Sequence, residues 1–502
     1  MSNIGIIIGT GPFGEDSLYK SPWIRYISGR HHIFVTSRIK PAIHYNDNLR
    51  KVIGDEEFVT IRSMVSEIEL NSSLFETIYD SSFLKRELSP KEIIEAEDFL
   101  GVSLDFLTDL NSSMKNRSGD DDHFIIRRRL FAAQLVYYFR DFFHRNEINI
   151  LMNTIEDDVV STIAHYVARK MGIIIIGSVW GRFPGRGIMF AKNFSDVCLW
   201  NTSKVNWSEI ESLYEASTIA GRDVLERNRG HWDLLSFPNR LEGFSILGEY
   251  DNYVRQIRRM LPNEELVFRD FSGGNLWRAY LDFSVKFLRK MIVRGYFENP
   301  PTNEDFFLFP LHYTIDAQIT FREPFIDQMR LVESVSRSLP ISYKLYLKPH
   351  PHYFGTDSRI ADLKRMSRLE NVRIINPEIP SVDLMMRSKG VITINSTTGF
   401  EALIMHIPVI TFGHDFYCRK DLCHVVRDMN ELPEILHLIS NEKRDESESR
   451  EFAKNVFLNT IHIKGRTFRY GFLGLTDEDG REIASSLNKI LDSVDGDALR
   501  CL

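Results

Sequence analysis

Short apolar runs alternate with amphipathic stretches through the first part of the chain. Runs of β-branched residues bounded by glycine or polar residues are typical of buried parallel strands, and they occupy 4–9, 32–37, 148–153 and 172–177. Residues 156–170, between the last two runs, carry apolar side chains at helical spacing and close on Arg169 and Lys170, which suit the negative end of a helix dipole. This strand–helix–strand order predicts a parallel sheet with helical crossovers.

The pattern changes twice after residue 200. Residues 201–300 are patterned as helices and carry few strand signals. Strand-like runs then return at 343–348, 372–375, 390–394 and 408–412. Helical patterns lie between the later runs and near the end of the sequence, at 381–389, 400–406 and 483–494.

These changes predict an α/β chain with two Rossmann-like, parallel-sheet domains and a helical connection. The expected boundaries are 1–200 for the first domain, 201–300 for the helical insertion, 301–475 for the second domain and 476–502 for a C-terminal helix. Ligands favour domain interfaces and the carboxyl ends of parallel strands. We therefore expect a cleft between the two domains to hold the site.

Composition and charge exclude several classes of protein. The chain has 502 residues, of which 43% are hydrophobic and 26% charged, as in ordinary globular proteins. The net charge of -7 gives no electrostatic case for a nucleic-acid partner. Four cysteines are too few for a disulfide scaffold. The N-terminal apolar run has the pattern of a β-strand and not that of a signal peptide. No apolar run approaches the ~20 residues that span a bilayer. We expect a cytoplasmic protein.

One amphipathic stretch leaves a membrane surface open as a partner. Residues 276–296 place Arg278, Asp282, Lys286 and Lys290 along one face. The simpler interpretation is a helix packed on the core. A basic amphipathic helix can also lie at a membrane surface, so peripheral association with the inner face of a membrane is the alternative.

The sequence LYLKPHP, residues 345–351, carries the first chemical signal. A strand pattern runs into Lys348, Pro349 and His350, and the prolines end the ladder and hold the histidine in an extended geometry. A lysine and a histidine at the carboxyl edge of a sheet suit a phosphate. The alternative is a strand-ending turn whose histidine bonds only to a backbone carbonyl.

A second segment that is suited to binding an anion, after the one at 348–350, follows the strand pattern at 390–394. We call these two segments the anion-suited elements. Ser396, Thr397, Thr398 and Gly399 open a helix, and the N–H groups at a helix N-terminus attract anions. Thr398 and Glu401 also fit a T-x-x-E capping box, so Glu401 has either a nucleotide-binding role or a capping role. We expect the two elements to follow neighbouring strands and to hold a nucleotide phosphate between them.

These residues carry a resemblance to a known family. The sequence resembles the capsule polysaccharide biosynthesis family over 305–420, and the motifs that carry the similarity are FPLHYTIDAQIT (309–320), FIDQMRLVESVSRSLP (325–340), LYLKPHP (345–351), NSTTGFEALIMHIPVITFG (395–413) and FYC (416–418). Its members are similar to glycosyltransferases of the two-domain GT-B type, including transferases for 3-deoxy-manno-octulosonic acid (Kdo). Bacterial sialyltransferases share an HP motif and a Ser/Thr pair that hold the phosphate of a CMP-activated sugar.

The resemblance implies a donor site in the second domain and an acceptor site in the first. His350 and the run from Ser396 to Thr398 fall on donor-binding positions. Relatives commonly carry an acid before the HP pair and a glutamate in the PLHY region, where this chain has Pro349 and, at the nearest position, Asp316. GT-B sites stabilise the leaving phosphate with helix N-termini and basic side chains, so we expect no metal ion and no other cofactor.

A zinc site is the alternative to a metal-free chain. Its potential ligands are His414, Cys418, Cys423 and His424. Their spacing matches no standard zinc pattern.

A transferase also needs a base or a nucleophile. Glu156 and Asp157 follow the strand pattern at 148–153, so they lie at the carboxyl edge of the first sheet and rank first. The alternative is that these acids only favour a helix dipole. Asp316 and His312, in the stretch that resembles the family, are second candidates.

Two glycine-bearing loops of the first domain are candidates for substrate contacts. Gly9 and Gly11 follow the first strand pattern, and Arg182 and Arg186 lie between glycines after a later one. Close backbone approach and positive charge suit an anionic or sugar acceptor, whereas a plain surface loop explains the second segment equally well.

The leading hypothesis is a glycosyltransferase that moves a sugar from a nucleotide donor to a glycan or glycolipid acceptor. Three alternatives stay open: a nucleotide-sugar 2-epimerase, a polymerase of the teichoic-acid type, and a non-catalytic glycan-binding component of an export machine.

Overall fold

The computed structural model describes most of both sheet-forming regions. The described residues are 2–8, 23–37, 70, 72–78, 81–109, 122–154, 159–180, 187–193, 196–201, 203, 206–208, 210, 212, 288–289, 292–312, 319, 323, 326–350, 360–377, 379–439, 446–462, 466–467, 473–474 and 476–494.

Strands and helices alternate along the chain. The strands are β1 (Asn3–Ile8), β2 (His32–Ser37), β3 (Leu74–Thr77), β4 (Ile150–Thr154), β5 (Ile174–Trp180), β6 (Gly187–Ala191), β7 (Phe306–Pro310), β8 (Lys344–Lys348), β9 (Val372–Ile374), β10 (Gly390–Thr393), β11 (Val409–Thr411), β12 (His424–Val425), β13 (Ile461–His462), β14 (Arg466–Thr467) and β15 (Leu473–Gly474). The helices are α1 (Ser82–Lys85), α2 (Pro90–Leu100), α3 (Leu104–Asp109), α4 (Asp122–Arg145), α5 (Val159–Lys170), α6 (Gln328–Ser338), α7 (Ile360–Met366), α8 (Ser381–Met385), α9 (Thr397–Ile404), α10 (Leu432–Ile439), α11 (Glu446–Leu458) and α12 (Asp477–Val494).

The first compact unit contains a sheet in the order β13-β6-β5-β4-β1-β2-β3. Strands β1 to β5 pair with one another in parallel, whereas β6 runs antiparallel to β5 and to β13. Helices α2 to α5 cover one face through a large apolar cluster, and residues 23–27 and α12 cover the other. The β-branched runs of this sheet are buried on both faces, as parallel strands covered by helices require.

The chain returns to the first unit at Phe457, whereas the second unit ends at Val456. Sequence patterning placed the end of the second domain at 475 instead. The physical reason is pairing over a long sequence separation: Ile461 pairs with Ile188 in the sheet, and Asn459 Oδ1 accepts the Trp200 N–H at 2.6 Å. Helix α12 then adds Ile483 to the core cluster of the first sheet.

The second unit contains an all-parallel sheet in the order β12-β11-β10-β7-β8-β9. The expectation of two parallel-sheet, Rossmann-like domains with helices is therefore confirmed. Sequence patterning missed β7, which lies at the centre of this sheet and is buried along its whole length, and it also missed the two-residue edge strand β12. The β7 sequence FFLFP is aromatic and ends in proline, so it lacks the β-branched signature of the other strands.

Part of the predicted organisation lies outside the described residues. The helical insertion at 201–300 and the amphipathic stretch at 276–296 are described only at their edges. Among the residues that the structure describes, no helix is long and apolar enough to cross a membrane.

Candidate functional site

Four adjacent strands of the second sheet end at one level, and polar residues follow them. The pairs Pro310–Lys348, Val391–Leu308 and Thr393–Thr411 fix the register between β8, β7, β10 and β11. Continuing that register by two residues past the last paired positions brings four residues to one level across the sheet: His350, His312, Asn395 and Gly413. Because neighbouring strands are about 4.8 Å apart, this row is continuous, and we call it the polar edge after the side chains of His350, His312 and Asn395.

His312 lies in the middle of this row and is buried, with 8% of its surface exposed. Its Nε2 accepts the Asn395 N–H at 3.4 Å. Its own backbone N–H donates to Gln328 Oε1 at 2.8 Å, and its carbonyl accepts from Gln328 Nε2 at 3.0 Å. The side chain of Gln328, at the start of α6, therefore fixes the backbone of His312 beside β10.

Asn395 joins the ends of β10 and β11. Its Oδ1 accepts the Asp415 N–H at 3.1 Å, and its Nδ2 donates to Glu323 Oε1 at 3.3 Å. Gly413 makes this packing feasible, because a Cβ there would lie 1.8 Å from Asn395 Oδ1. The polar edge is thus cross-linked by side chains that are themselves buried.

Ser396, not Thr398, caps the helix that follows. The Ser396 hydroxyl oxygen accepts the Thr398 N–H at 3.2 Å, and helix α9 begins at Thr397. The T-x-x-E capping box considered for Thr398 and Glu401 is therefore wrong, because Thr398 already lies inside the first helical turn. Ser396 and Thr397 are partly exposed, whereas Thr398 is buried.

Gly399 serves close packing inside the protein. A Cβ at Gly399 would lie 2.7 Å from the Tyr417 hydroxyl and 2.8 Å from Thr393 Cγ2. The Tyr417 hydroxyl donates to the Ser396 carbonyl at 2.7 Å. The glycine therefore allows a close contact between the start of α9 and the FYC segment.

The two anion-suited elements do not follow neighbouring strands. Strand β7 lies between β8 and β10, so His350 and Ser396 are separated by two strand spacings, about 10 Å. His312 follows the strand that lies between them. The expectation of adjacency was wrong because it did not include β7 in the sheet.

Lys348, the last residue of β8, is buried, with 3% of its surface exposed. Its ammonium donates to the Pro377 carbonyl at 2.8 Å. Burial lowers the pKa of Lys348 to about 8. His350, two residues further on, is partly buried and has partners within the protein.

The potential zinc ligands have other partners. Cys423 Sγ lies 3.2 Å from the Tyr417 carbonyl, and Cys418 Sγ lies 3.1 Å from Thr411 Oγ1. Burial, with the charge of Asp415, raises the pKa of the Cys418 thiol to about 12. In the described part of the chain, no three His, Cys, Asp or Glu side chains are grouped so that they could hold a metal ion.

The candidates of the first unit lie outside the described residues, and so does Asp316. This applies to Gly9, Gly11, Glu156, Asp157, Arg182 and Arg186. The three strands that precede them are β1, β4 and β5, which are neighbours and parallel. The roles of these six residues and of Asp316 stay predictions.

Sequence reasoning missed Glu323. This glutamate is buried, with 6% of its surface exposed, and its Oε1 lies 2.8 Å from His414 Nδ1. The signal available in the sequence was weak: a lone acid in the mostly apolar stretch 319–326. Nothing in the spacing linked it to a histidine 91 residues away.

The site segment matches a family model. Residues 293–426 match the model described as "Capsule polysaccharide biosynthesis protein". This segment is therefore similar to the capsule polysaccharide biosynthesis family. The family segment contains β7 to β11, Glu323 and the whole polar edge, so the resemblance seen over 305–420 is confirmed.

Three known proteins show how far the similarity extends. Protein FixF of Sinorhizobium fredii is 31% identical over 174 residues, which are 34% of this chain and 40% of that protein. The capsule polysaccharide modification protein LipB of Neisseria meningitidis is 27% identical over 185 residues, 35% of this chain and 42% of that protein. The solved structure of Thermosulfurimonas dismutans KpsC, a beta Kdo 2,7 transferase, has a TM-score of 0.30 and 14% identity, and covers 70% of this chain and 89% of that one. The chain thus spans about two fifths of the length of the curated relatives.

Proposed function

We propose that this protein is a metal-independent glycosyltransferase of the GT-B type. It transfers a sugar from a nucleotide donor to a cell-surface polysaccharide or glycolipid acceptor. The donor is a CMP-activated acidic sugar, such as Kdo or a sialic-acid-like sugar, by the resemblance of the HP and Ser/Thr motifs. The polar edge of the second sheet is the observation that carries the proposal.

Three properties of this edge suit a nucleotide phosphate. It lies at the carboxyl ends of parallel strands, where α/β proteins bind ligands. It includes the start of an eight-residue helix, α9, whose N-terminal dipole favours anions. It also carries His312 and His350, whose imidazole rings can donate hydrogen bonds.

The residues divide by role in this proposal. His350, Ser396 and Thr397 contact the donor phosphate, while Thr398, Gly399 and Glu401 belong to the helix that presents them. Lys348 supports the same edge from inside the sheet, through its bond to the Pro377 carbonyl.

In this proposal the first domain binds the acceptor and supplies the catalytic carboxylate. Glu156 or Asp157 is the base or nucleophile, and Asp316 and His312 are the second choice. Gly9, Gly11, Arg182 and Arg186 line the acceptor side. The enzyme acts in the cytoplasm, at the inner face of the membrane when its acceptor is a lipid-linked glycan.

A nucleotide screen tests the donor. Thermal-shift measurements with CMP, CDP, UDP and GDP report which nucleotide binds, since a ligand at 100 times its Kd stabilises the folded state by ~2.7 kcal/mol. We expect CMP to give the largest shift. His350→Ala should weaken CMP binding by roughly 1.5–3 kcal/mol, because a charge-assisted hydrogen bond is lost.

The reaction is tested with CMP-Kdo and a capsule-type glycan acceptor. Release of CMP that depends on the acceptor and continues in EDTA supports the proposal. Release of UDP from a UDP-sugar without any acceptor indicates an epimerase instead. Release of CMP from CDP-glycerol indicates a teichoic-acid-type polymerase. Glycan binding with every activated sugar left intact indicates a non-catalytic component.

A further inference from the structure

A buried carboxyl group meets an exposed imidazole at the edge of the second sheet. The side chain of Glu323 is 7% exposed, whereas that of His414 is 60% exposed. Glu323 Oε1 lies 2.8 Å from His414 Nδ1 and also accepts from Asn395 Nδ2 at 3.3 Å. Because a buried carboxyl group without hydrogen-bond partners is costly, the contacts with Asn395 and His414 satisfy the Glu323 side chain inside the protein.

The contact orients the His414 ring. Oε1 of Glu323 and Nδ1 of His414 lie at hydrogen-bond distance, and a carboxyl group that holds one ring nitrogen fixes the orientation of an imidazole, as it does in catalytic and metal-binding histidines. His414 is therefore an oriented imidazole whose ring is largely open to solvent.

His414 lies next to the polar edge. It follows Gly413 directly, and Gly413 packs against the side chain of Asn395, the residue before Ser396, which caps α9. The next residue, Asp415, donates its N–H to Asn395 Oδ1 at 3.1 Å. The loop that carries His414 is therefore tied to the start of the anion-suited helix by a buried side chain.

We propose that His414 donates a hydrogen bond from Nε2 to the phosphate of the donor nucleotide and that Glu323, which contacts Nδ1, is the positioning residue that orients its ring. This inference rests on the proposed function, because it names a further residue of the same donor site. His414 then contacts the phosphate from the β11 side, opposite His350 on the β8 side. No proton or group is transferred in this contact; the ring N–H donates a hydrogen bond to a phosphate oxygen.

A simpler role for the pair would be to hold the loop after β11 in place. The two roles differ in what they discriminate. A residue that contacts the phosphate affects binding of a nucleotide and leaves binding of the matching nucleoside unchanged. A residue that only holds the loop affects both ligands alike, or neither.

The test compares CMP with cytidine, and UDP with uridine as a second pair, by titration calorimetry. His414→Ala should weaken CMP binding roughly 10- to 100-fold, the loss expected for one charge-assisted hydrogen bond, and leave cytidine binding unchanged. The matched control is His437→Ala, an exposed histidine on α10, which should bind both ligands like the wild type.

A double-mutant cycle tests the positioning role of Glu323. Glu323→Gln should weaken CMP binding in the wild-type background and add no further loss in the His414→Ala background. The control is Glu333→Gln, which removes a carboxylate that pairs with Arg365 in the same unit. Melting temperatures show whether each variant folds. If Glu323→Gln does not fold, the His414→Ala comparison of CMP with cytidine still tests the phosphate contact, because the His414 side chain is 60% exposed and its replacement should not unfold the protein.

Each result has one meaning. Normal CMP affinity in folded His414→Ala overturns the phosphate contact, and equal losses for CMP and cytidine assign His414 to loop structure alone. A Glu323→Gln effect of the same size in both backgrounds overturns the positioning role. A wild type that binds neither CMP nor UDP removes the proposed function, and this inference with it.

Discussion

Gln328 holds the backbone of His312 through both ends of its side-chain amide, with hydrogen bonds of 2.8 and 3.0 Å. Gln328 is the first residue of α6, and Asp327 caps that helix by accepting the N–H groups of Met329 and Arg330. The position of His312 at the sheet edge therefore depends on where α6 begins, although the two residues are 16 positions apart.

Replacing Gln328 tests this dependence. Gln328→Leu keeps the size of the side chain and removes both hydrogen bonds to a buried backbone. We expect the free energy of unfolding to fall by about 1–3 kcal/mol, measured by urea denaturation, and nucleotide affinity to fall with it because His312 shifts. Arg337→Ala, an exposed change on the same helix, is the control. Wild-type stability and affinity in Gln328→Leu would show that His312 is held by other contacts.

Gly413→Ala should damage the site through Asn395. The new Cβ would lie 1.8 Å from Asn395 Oδ1 and 2.5 Å from the Ile394 carbonyl oxygen, so the ends of β10 and β11 must separate. We expect a loss of about 1–3 kcal/mol in stability, as for other overpacked sites, and weaker nucleotide binding. Gly29→Ala is the matched control, since a Cβ there has no atom within 4 Å. The prediction fails if the two alanine variants melt at the same temperature.

Lys348 should make stability depend on pH. Burial lowers its pKa from 10.5 to about 8, which corresponds to about 3 kcal/mol. Between these two pH values the unfolded chain binds more protons than the folded one, so stability rises with pH. The cost of burying the ammonium is fully present below pH 8 and is gone above 10.5.

Lys348→Met removes this cost together with one hydrogen bond to the Pro377 carbonyl. The wild type should therefore gain up to about 3 kcal/mol relative to Lys348→Met as the pH rises from 8 to 10.5, measured by chemical denaturation at each pH. Lys91→Met, at a lysine whose side chain is 87% exposed, is the control and should keep a constant difference from wild type. If the difference in unfolding free energy between the wild type and Lys348→Met does not change with pH, the ammonium is solvated in the folded protein.

The strands illustrate what local pattern can predict. The run at 32–37 coincides with β2, because β-branched residues between polar ends leave few alternatives. Strand β7 was not predicted, and its omission made the predicted arrangement of the site residues wrong. Without β7, the HP segment and the Ser/Thr run were expected side by side, and His312 ranked only as a second catalytic candidate.

The contacts of the site depend on pairings that spacing does not reveal. Whether Lys348 faces the ligand or the interior depends on how β8 and β9 pack, and the Pro377 carbonyl that it contacts is 29 residues away. Glu323 and His414 are separated by 91 residues. A sequence shows that each residue type is suitable, but only the register of the sheet shows which of them meet.

The proposed catalytic acids are tested by amide substitution. Glu156→Gln or Asp157→Asn should keep nucleotide affinity and lose at least ~10²-fold in turnover, because a base or nucleophile acts mainly in the transition state. Glu95→Gln, at an exposed acid on α2, is the control. If both amide variants keep the wild-type turnover rate, the two acids only stabilise the dipole of the helix that follows them. Asp316→Asn and His312→Gln should then be assayed in the same way.

Membrane association is tested by sedimentation with vesicles. Leu288 and Ile292 are 59% and 51% exposed and lie four residues apart, beside basic residues. We expect binding to vesicles that contain anionic lipid, weaker binding to neutral ones, and loss of binding when Arg289, Lys290 and Arg294 are changed to glutamate. Arg330→Glu, at a site 81% exposed, is the control. Binding that survives the triple change removes this segment from consideration.

The return of residues 457–494 to the first sheet has a consequence for biosynthesis. Tyr26 donates to Asp477 at 2.5 Å across 451 positions, and Ile461, Ile483 and Leu487 complete the same core. At roughly 5–20 residues per second of synthesis, about 20–90 s pass before the N-terminal segment meets these partners. Until then the edge of β6 lacks its partner strand β13, and residues 23–27 cover without α12 the sheet face that both share. The unit whose synthesis begins first therefore completes its core only after the second unit has been made.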